Sequence, residues 1–295
     1  VAFEYSPLAV GAPTLTTLEA AGRRRRIGGG FIEPFAFGCR APAAAPGTDG
    51  VAIVELPESG LTLADAIGAS SAFRVQGLDF ENYPHAACWP VTGRGAEPTA
   101  SEVLTDGGDL ENYGLIALLR RRVTRVVVFI NTEGPLSAAF GGSAWPDDSD
   151  PEHHAIDPFL APLFGAPSKQ FPHNRVFPEA EFAMLVRGLQ AARRAGRSVA
   201  TTLTHRVLAN DRWGVSGGWE TRICWVYNER VPEWQARIPA EMRRRVEAGQ
   251  GARAEGGFAH FPHYRTRGQN PGCLIRLTPE QVNLLAHLSC WNVTS

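Results

Sequence analysis

The stretch Leu104–Ile130 constrains the fold more than any other part of the chain. It begins with the turn Asp106–Gly108, continues through a leucine-rich segment and ends in the apolar run Val126–Ile130. The leucines repeat at the i, i+3, i+4 spacing of one helical face, at Leu115, Leu118 and Leu119. The pattern predicts a strand end, a glycine turn, a short amphipathic helix and a second strand, which together indicate an α/β fold.

The apolar run Val126–Ile130 is continuous, which is typical of a strand covered on both faces of a parallel sheet. An acid at the end of a neighbouring strand would then lie at the carboxyl edge of that sheet, where open α/β folds place their sites. Gly107 and Gly108 would let the backbone turn sharply and approach a ligand. The alternative is structural, with Asp106 or Asp109 capping the start of a helix.

Three segments carry a resemblance to a known family. The Asp-Gly-Gly turn, followed by Asn112 and the leucine-rich helix, resembles the second catalytic motif of the patatin-like lipid acyl hydrolases, which include cytosolic phospholipase A2. Phe3–Pro7 and Gly68–Phe73 are similar, in the same chain order, to a Phe-Glu-Phe-Ser-Pro segment and a Gly-Ser-Ala-Phe helix of the phospholipase branch. Several motifs in order are more specific than one. The likeness covers residues 1–130 well and the remainder more loosely.

The resemblance implies a layered sheet with helices and a Ser–Asp dyad that hydrolyses acyl esters. Asp106 would be the catalytic base, and Gly107 and Gly108 would shape the active-site turn. The implied substrate is a phospholipid or lysophospholipid, with transient contact to a membrane surface, a cytoplasmic location and no metal or organic cofactor. A serine acting with a carboxylate needs that carboxylate within hydrogen-bond reach, and backbone N–H donors for the oxyanion.

The family places its Gly-x-Ser-x-Gly elbow before the Asp motif, and no such sequence precedes Asp106. We therefore expect residues 1–295 to be the C-terminal portion of one catalytic domain, with the N-terminal portion missing, and we assign no internal boundary. A catalytically incomplete, lipid-binding or scaffolding member of the family is the alternative. An unrelated α/β protein in which Asp106 only caps a helix is a third hypothesis.

Ser216 is a low-ranking candidate for the nucleophile. It lies in Gly214–Gly218, which satisfies Gly-x-Ser-x-Gly, but an elbow needs a strand before it and a helix after it. A strand pattern follows Ser216, so we interpret the segment as a hairpin turn. Ser70 and Ser71 lie among small residues that suit close helix packing, and Gly28–Gly30 is interpreted as a structural loop.

Histidines do not form a convincing metal site. His153 and His154 could be imagined as ligands together with Asp157, but adjacent histidines do not share a helical face. We predict a solvated loop there. His260 and His263 lie in an aromatic-rich segment and are expected to pack against the body of the protein.

Composition excludes several classes of protein. The net charge of −1 argues against a dedicated nucleic-acid binder. The five cysteines lack paired spacing, which indicates reduced thiols. No apolar run approaches the length of a bilayer span.

Periodicity and capping signals predict the remaining elements. Helices are predicted over residues 61–73, over 178–195, over 239–247 and from Thr278 onward, the last with Val282, Leu285, Ala286, Leu288 and Ser289 on its buried face. A strand is predicted at Ile223–Tyr227. Predicted loops are the solvated run Arg23–Arg26, a surface excursion over residues 134–177 and a flexible link over 249–257.

Overall fold

The protein is described by a computed structural model that places residues 1–20, 23–43, 53–72, 81, 83–91, 99–132, 134–137, 156–249, 256–264 and 277–295. The chain divides into two compact units, Val1–Leu110 and Glu111–Ser295. Helices and strands are mixed, which confirms the α/β prediction at the level of secondary structure. The boundary between the units falls just after the Asp-Gly-Gly turn, so Asp106 belongs to the first unit and the leucine-rich helix to the second.

The first unit is built from small antiparallel sheets and one helix. Its described elements are β1 (Glu4–Tyr5), β2 (Val10–Ala12), β3 (Thr16–Ala20), β4 (Arg23–Ile27), β5 (Gly30–Ile32), α1 (Leu63–Ser70), β6 (His85–Cys88) and β7 (Ala100–Val103). One sheet has the order β1-β2-β5, and β3 pairs with β4 and β6 with β7. All of these described pairs are antiparallel.

The arginine run Arg23–Arg26 lies in strand β4, so the prediction of a solvated loop was wrong. Arg25 explains part of the difference. Its Nε lies 2.6 Å from Oε1 of Glu102, and its Nη2 donates to Oε2 at 2.8 Å. Glu102 is buried, and a paired guanidinium compensates for the burial of its carboxylate. Alternate side chains of a strand face opposite sides, so the arginines of β4 do not all point in the same direction.

The second unit is organised around a mixed three-stranded sheet. Its described elements are α2 (Leu115–Arg120), β8 (Arg125–Ile130), α3 (Glu179–Arg194), β9 (Ala200–Val207), β10 (Trp219–Tyr227), α4 (Pro232–Arg237), α5 (Ala240–Ala248) and α6 (Pro279–Thr294). The strand order is β8-β10-β9. β10 runs parallel to β8 and antiparallel to β9, so that Trp225 faces Val128 on one side and Thr201 on the other.

The helices begin and end where their capping residues predict. α3 begins after Pro178, carries Glu179 and Glu181 in its first turn and ends with Arg193 and Arg194, which complements the helix dipole. α1 and α5 also confirm their predicted positions. None of the described helices is both long and apolar enough to cross a membrane.

The predicted start of helix α6 is confirmed, but the predicted set of buried residues was wrong in part. Thr278 and Gln281 form a reciprocal capping box. The buried residues are Leu284, Leu288 and Asn292, whereas Val282 is exposed. Apolar side chains occur around most of this helix, so its partners, rather than its periodicity, select the buried face.

Strand β8 is covered on one face only, which corrects the expectation of a strand buried on both. Val126, Val128 and Ile130 are buried, and Val127 and Phe129 are exposed. Successive strand residues point to opposite faces. An apolar run alone therefore does not show whether a second layer covers the sheet.

The segment 134–177 is partly core, so the prediction of a surface excursion was wrong for its second half. The buried residues there include Ile156, Leu160, Leu163 and Phe164. Residues Ala161–Phe164 form a short 3-10 helix. The core cluster of the second unit includes these residues. Residues 138–155 lie outside the described part of the chain, as do residues 250–255 of the predicted flexible link.

A neutral histidine lies in the core between α3 and the sheet. Nδ1 of His205 is 2.7 Å from Oε2 of Glu181, and Nε1 of Trp225 donates to Nε2 of His205 at 2.9 Å. The indole N–H is only a donor, so Nε2 must accept and the proton must be on Nδ1. Burial lowers the pKa of His205, although the hydrogen bond and charge of Glu181 act in the opposite direction.

This arrangement predicts that acidification destabilises the second unit. The pKa of His205 is lower in the folded chain than its ordinary value of 6.5, so below about pH 6.5 the unfolded chain binds the proton more readily. The free energy of unfolding should be constant above that pH, as far as His205 contributes, and should fall below it. Urea unfolding measured from about pH 8 to about pH 5 tests this.

His205→Leu is the matched variant. It should lose about 1–3 kcal/mol at neutral pH, because the indole N–H of Trp225 loses its acceptor. Its stability should also depend less on pH than that of the wild type. Equal pH dependence in the two proteins would contradict the assignment of a neutral, buried imidazole.

Candidate functional site

Asp106 lies on a tight turn and uses one carboxylate oxygen to hold it. It is the N-cap of a short 3-10 turn, Gly107–Asp109, and its Oδ1 accepts the N–H of Gly108 at 2.8 Å. The structural alternative for this residue, a cap, is therefore confirmed as a hydrogen bond. Among the described residues, Oδ2 has no hydrogen-bond partner, and the side chain is partly buried.

The expected parallel-sheet edge at Asp106 was wrong. The strand that precedes it, β7, pairs antiparallel with β6 in a two-stranded ribbon. The N–H of Leu104 extends that pairing by donating to the carbonyl of Pro84 at 2.8 Å. The parallel pair of the described sheets is β8 and β10, in the second unit. Apolar runs predicted a strand on either side of the turn, but not that the two strands belong to different sheets.

The turn is attached to a second segment of the resemblance. The backbone N–H of Asp106 donates to the carbonyl of Ala72 at 3.0 Å, just after the end of α1. Ala72 belongs to Gly68–Phe73, of which Phe73 lies outside the described residues. Two segments separated by more than thirty positions are therefore in direct contact.

Among the described residues, a Cβ built on Gly107 would meet no atom within 4 Å. The described part of the chain therefore does not require glycine at this position through close packing. The side chain of Asp106 combines a fixed orientation with partial exposure.

The third segment, Phe3–Pro7, packs in the body of the first unit. The rings of Phe3 and Tyr5 contact the ring of Phe37 edge to face, at centroid distances of 6.2 and 5.8 Å. Burial raises the pKa of Tyr5 to about 12, with a further contribution from Cys88. Tyr5 therefore remains protonated at neutral pH, and this segment contributes packing.

A small apolar cavity lies beside that packing. Its lining includes Phe37, Cys88, Trp89, Gly28 and Gly30, and its volume of about 20 Å³ is room for about one water molecule. It cannot hold an acyl chain. Burial, with the charge of Glu102, raises the pKa of the Cys88 thiol to about 12, so Cys88 does not replace a serine nucleophile.

The loop Gly28–Gly30 has a structural role, as expected. Gly28 has a φ of +80°, and a Cβ there would lie 2.5 Å from the carbonyl oxygen of Thr14. Only glycine allows this close approach of two backbone segments.

The structure places no described candidate serine on a nucleophile elbow. Ser216 is exposed in the connection between the antiparallel strands β9 and β10, which confirms the hairpin interpretation. Its carbonyl accepts the indole N–H of Trp219. Ser70 ends α1 and Ser71 follows it, both exposed, and neither follows a strand. A strand-turn-helix elbow is absent at each of these positions.

A buried polar cluster at the carboxyl ends of β8 and β10 was not predicted from the sequence. Its first part joins the two strand ends, where Thr132 follows β8 and Asn228 follows β10. The N–H of Thr132 donates to Oδ1 of Asn228 at 3.0 Å, and Nδ2 of Asn228 donates back to the carbonyl of Thr132 at 3.2 Å. These two hydrogen bonds satisfy the backbone N–H and carbonyl of Thr132, where the chain leaves the sheet.

Glu229 is the centre of the cluster. Its carboxylate accepts the N–H groups of Leu136 and Arg230 at 2.9 and 2.8 Å. Nε2 of His263 lies 3.4 Å from Oε1, and Nε of Arg193 lies 3.6 Å from Oε2. Burial alone would raise the pKa of Glu229, but the hydrogen bond and charge of His263 and the other donors outweigh it and lower the pKa.

His263 connects a third segment to the same strand ends. Its Nδ1 lies 3.0 Å from the carbonyl of Thr132, while its Nε2 faces Glu229. Both ring nitrogens therefore lie near oxygen acceptors, and His263 links residues 256–264 to the ends of β8 and β10. The expectation of packing against the body is confirmed for His263, which is buried, and was wrong for His260, which is exposed.

Asp157 is bound by protein partners. Its Oδ1 accepts the hydroxyl of Tyr113 at 2.8 Å, and its N–H donates to the hydroxyl of Tyr227, which donates in turn to the carbonyl of Gly134. Burial raises the pKa of both tyrosines, so both remain donors. No group of three metal-ligating side chains occurs among the described residues. His153 and His154 lie outside them.

The cluster of the second unit stabilises the loops at the sheet edge. Glu229, Asp157 and His263 are all buried and are occupied by protein partners. A signal for it exists in the sequence, because polar residues directly follow both apolar strands. That signal does not show which loops return to the same edge. The first unit, with Asp106, therefore keeps the better candidate for chemistry.

Comparisons with family models, with curated proteins and with solved structures find no match to this chain.

Removing the carboxylate of Glu229 should strongly destabilise the second unit. Glu229→Ala should cost about 3–5 kcal/mol, because it leaves the buried N–H groups of Leu136 and Arg230 and the guanidinium of Arg193 without their acceptor. Glu229→Gln keeps one acceptor and should cost less. The measurement is urea unfolding at neutral pH, and a loss below 1 kcal/mol in the alanine variant would contradict the role assigned to Glu229.

Proposed function

We propose that the chain is part of a lipid acyl hydrolase of the patatin-like type, with Asp106 as the base of a Ser–Asp dyad. The observation that carries the proposal is the state of the Asp106 carboxylate. One oxygen is held by the N–H of Gly108 at 2.8 Å, and the other has no hydrogen-bond partner among the described residues. The order of the three resembled segments supports the same proposal.

The turn suits a base that acts directly on a hydroxyl group. The Gly108 N–H restricts the rotation of the carboxyl group, so Oδ2 is presented in a defined direction. A serine hydroxyl within hydrogen-bond reach of Oδ2 would transfer its proton there as its oxygen attacks the ester carbonyl. The partial exposure of the Asp106 side chain supports access by such a hydroxyl. The carboxyl group would then return the proton to the departing alcohol.

The nucleophile in this proposal is supplied from outside the 295 residues. Ser216, Ser70 and Ser71 do not lie on strand-turn-helix elbows, and none lies before the Asp motif in a Gly-x-Ser-x-Gly sequence. The proposed substrate is a phospholipid or lysophospholipid, met in the cytoplasm at a membrane surface. The same absence of an elbow among the described serines favours the second candidate function, a catalytically incomplete protein that binds lipid or acts as a scaffold.

The dyad can be tested on the full product of the gene that contains this chain. A fluorophosphonate probe should label one serine of that product, and hydrolysis of a soluble short-chain ester should accompany labelling. Asp106→Asn keeps an acceptor for the Gly108 N–H, so the melting temperature should change little. Hydrolysis should fall by about 10²–10⁴-fold, because the amide cannot accept the serine proton.

Glu19→Gln is the matched control, since Glu19 is an exposed carboxylate of the same unit. It should leave hydrolysis unchanged. A folded full-length product without a labelled serine would exclude the hydrolase and favour the lipid-binding alternative. Full hydrolysis by Asp106→Asn would exclude Asp106 as the base.

A further inference from the structure

Strand β8 forms hydrogen bonds with β10 along one side. The sheet of the second unit has the order β8-β10-β9, so β8 lies at an edge of the described sheet. The N–H of Arg222 donates to the carbonyl of Thr124 at 2.9 Å, and the N–H of Asn228 donates to the carbonyl of Ile130 at 3.1 Å. Backbone groups alternate in direction along a strand. The even-numbered residues of β8 therefore face β10.

The backbone groups on the other side of β8 are unused. The N–H and carbonyl groups of Arg125, Val127 and Phe129 point away from β10, and no described strand pairs with them. We refer to these groups as the free edge of β8. An uninterrupted edge of this kind can pair with another strand. β8 contains no proline or lysine, and its register with β10 has no bulge, so none of the usual protections of an edge is present.

The side chains of the same three residues lie on the open face of the sheet, because alternate residues of a strand share a face. Val127 is 51% exposed and Phe129 is 41% exposed. Arg125 is also exposed, and the register places Arg222 directly beside it. Like charges on neighbouring strands repel each other. A partner strand that offers Arg125 an aromatic ring and Phe129 a cation would therefore complement this face.

A second copy of β8 meets these requirements when it runs antiparallel. The three residues of the free edge are symmetric about Val127, so a two-fold axis at Val127 places Arg125 opposite the partner's Phe129. Residues opposite each other in such a pair exchange both backbone hydrogen bonds and have their side chains on the same face. Each guanidinium would then lie beside an aromatic ring, which is a favourable cation–π arrangement. A parallel, in-register pair would instead bring the two Arg125 side chains together.

We propose that β8 pairs with β8 of a second copy of this chain, antiparallel and centred on Val127, so that two three-stranded sheets form one six-stranded sheet. The buried faces of the two sheets then lie on one side and the open faces on the other. Both copies use the same strand, so the contact closes as a dimer. The inference goes beyond the proposed function and does not depend on it.

Sedimentation equilibrium of the whole chain tests the pairing and its register. The wild type should have a mass about twice that of one chain at high concentration. Phe129→Arg places a second cation opposite the partner's Arg125 and should raise the dissociation constant about 10–100-fold, at two symmetric positions. Combining it with Arg125→Glu places opposite charges across both positions and should restore the dimer. Only the register centred on Val127 predicts this rescue.

Two further variants separate pairing from folding. Val127→Pro removes an N–H that β10 does not use, which an edge strand tolerates, and it should be monomeric where the wild type is dimeric. Met184→Arg is the matched control, because Met184 is an exposed apolar residue of α3 in the same unit. It should remain dimeric. Thermal unfolding of each variant establishes that it is folded.

Three results would overturn the inference. A wild type that stays monomeric at submillimolar concentration would exclude self-pairing and leave the edge to a strand of another protein. A charge-exchanged double variant that is as monomeric as Phe129→Arg, although folded, would exclude this register. Assemblies larger than two chains would show a contact between different edges, since pairing through β8 alone uses its edge completely.

Discussion

The second unit depends on the pairing of strand β10 with both of its neighbours. β10 is parallel to β8 and antiparallel to β9, so it orders one segment that precedes it by about a hundred residues and another that adjoins it. Its buried Trp225 fixes His205 and, through that imidazole, Glu181 of α3. At its carboxyl end Glu229 holds the loops that leave the sheet. Burial of apolar side chains and hydrogen bonding of buried polar groups therefore both stabilise the structure around β10.

The cap formed by Asp106 is compatible with the proposed role of this residue as a catalytic base. The cap uses one oxygen, Oδ1, and its partner is the neighbouring Gly108 N–H. An oriented carboxylate with a second oxygen available is what direct proton transfer from a hydroxyl requires. The bond from Asp106 to Ala72 adds that α1 and the turn form one local structure.

Local signals predicted the elements whose cause is local. α3 is determined by Pro178, by acidic residues at its start and by arginines at its end, and α6 begins at the Thr278 capping box. The predictions were wrong where residues distant in the chain determine the local structure or its burial. Arg25 lies in a strand that pairs with β3, and its side chain is paired with the distant Glu102. Phe164 is buried because the core of the second unit surrounds it. Neither partner can be identified from neighbouring residues.

The sequence by itself determined the α/β mixture, the tight turn at Asp106 and the hairpin at Ser216, because glycine, proline, capping residues and apolar periodicity act within a few positions. Only the tertiary structure decided that the strand before Asp106 is antiparallel and that one face of β8 is open. It also decided that Glu229 and His263 meet at one sheet edge. Pairing and burial depend on residues far apart in the chain, and the free energy of those contacts is not encoded in any single segment.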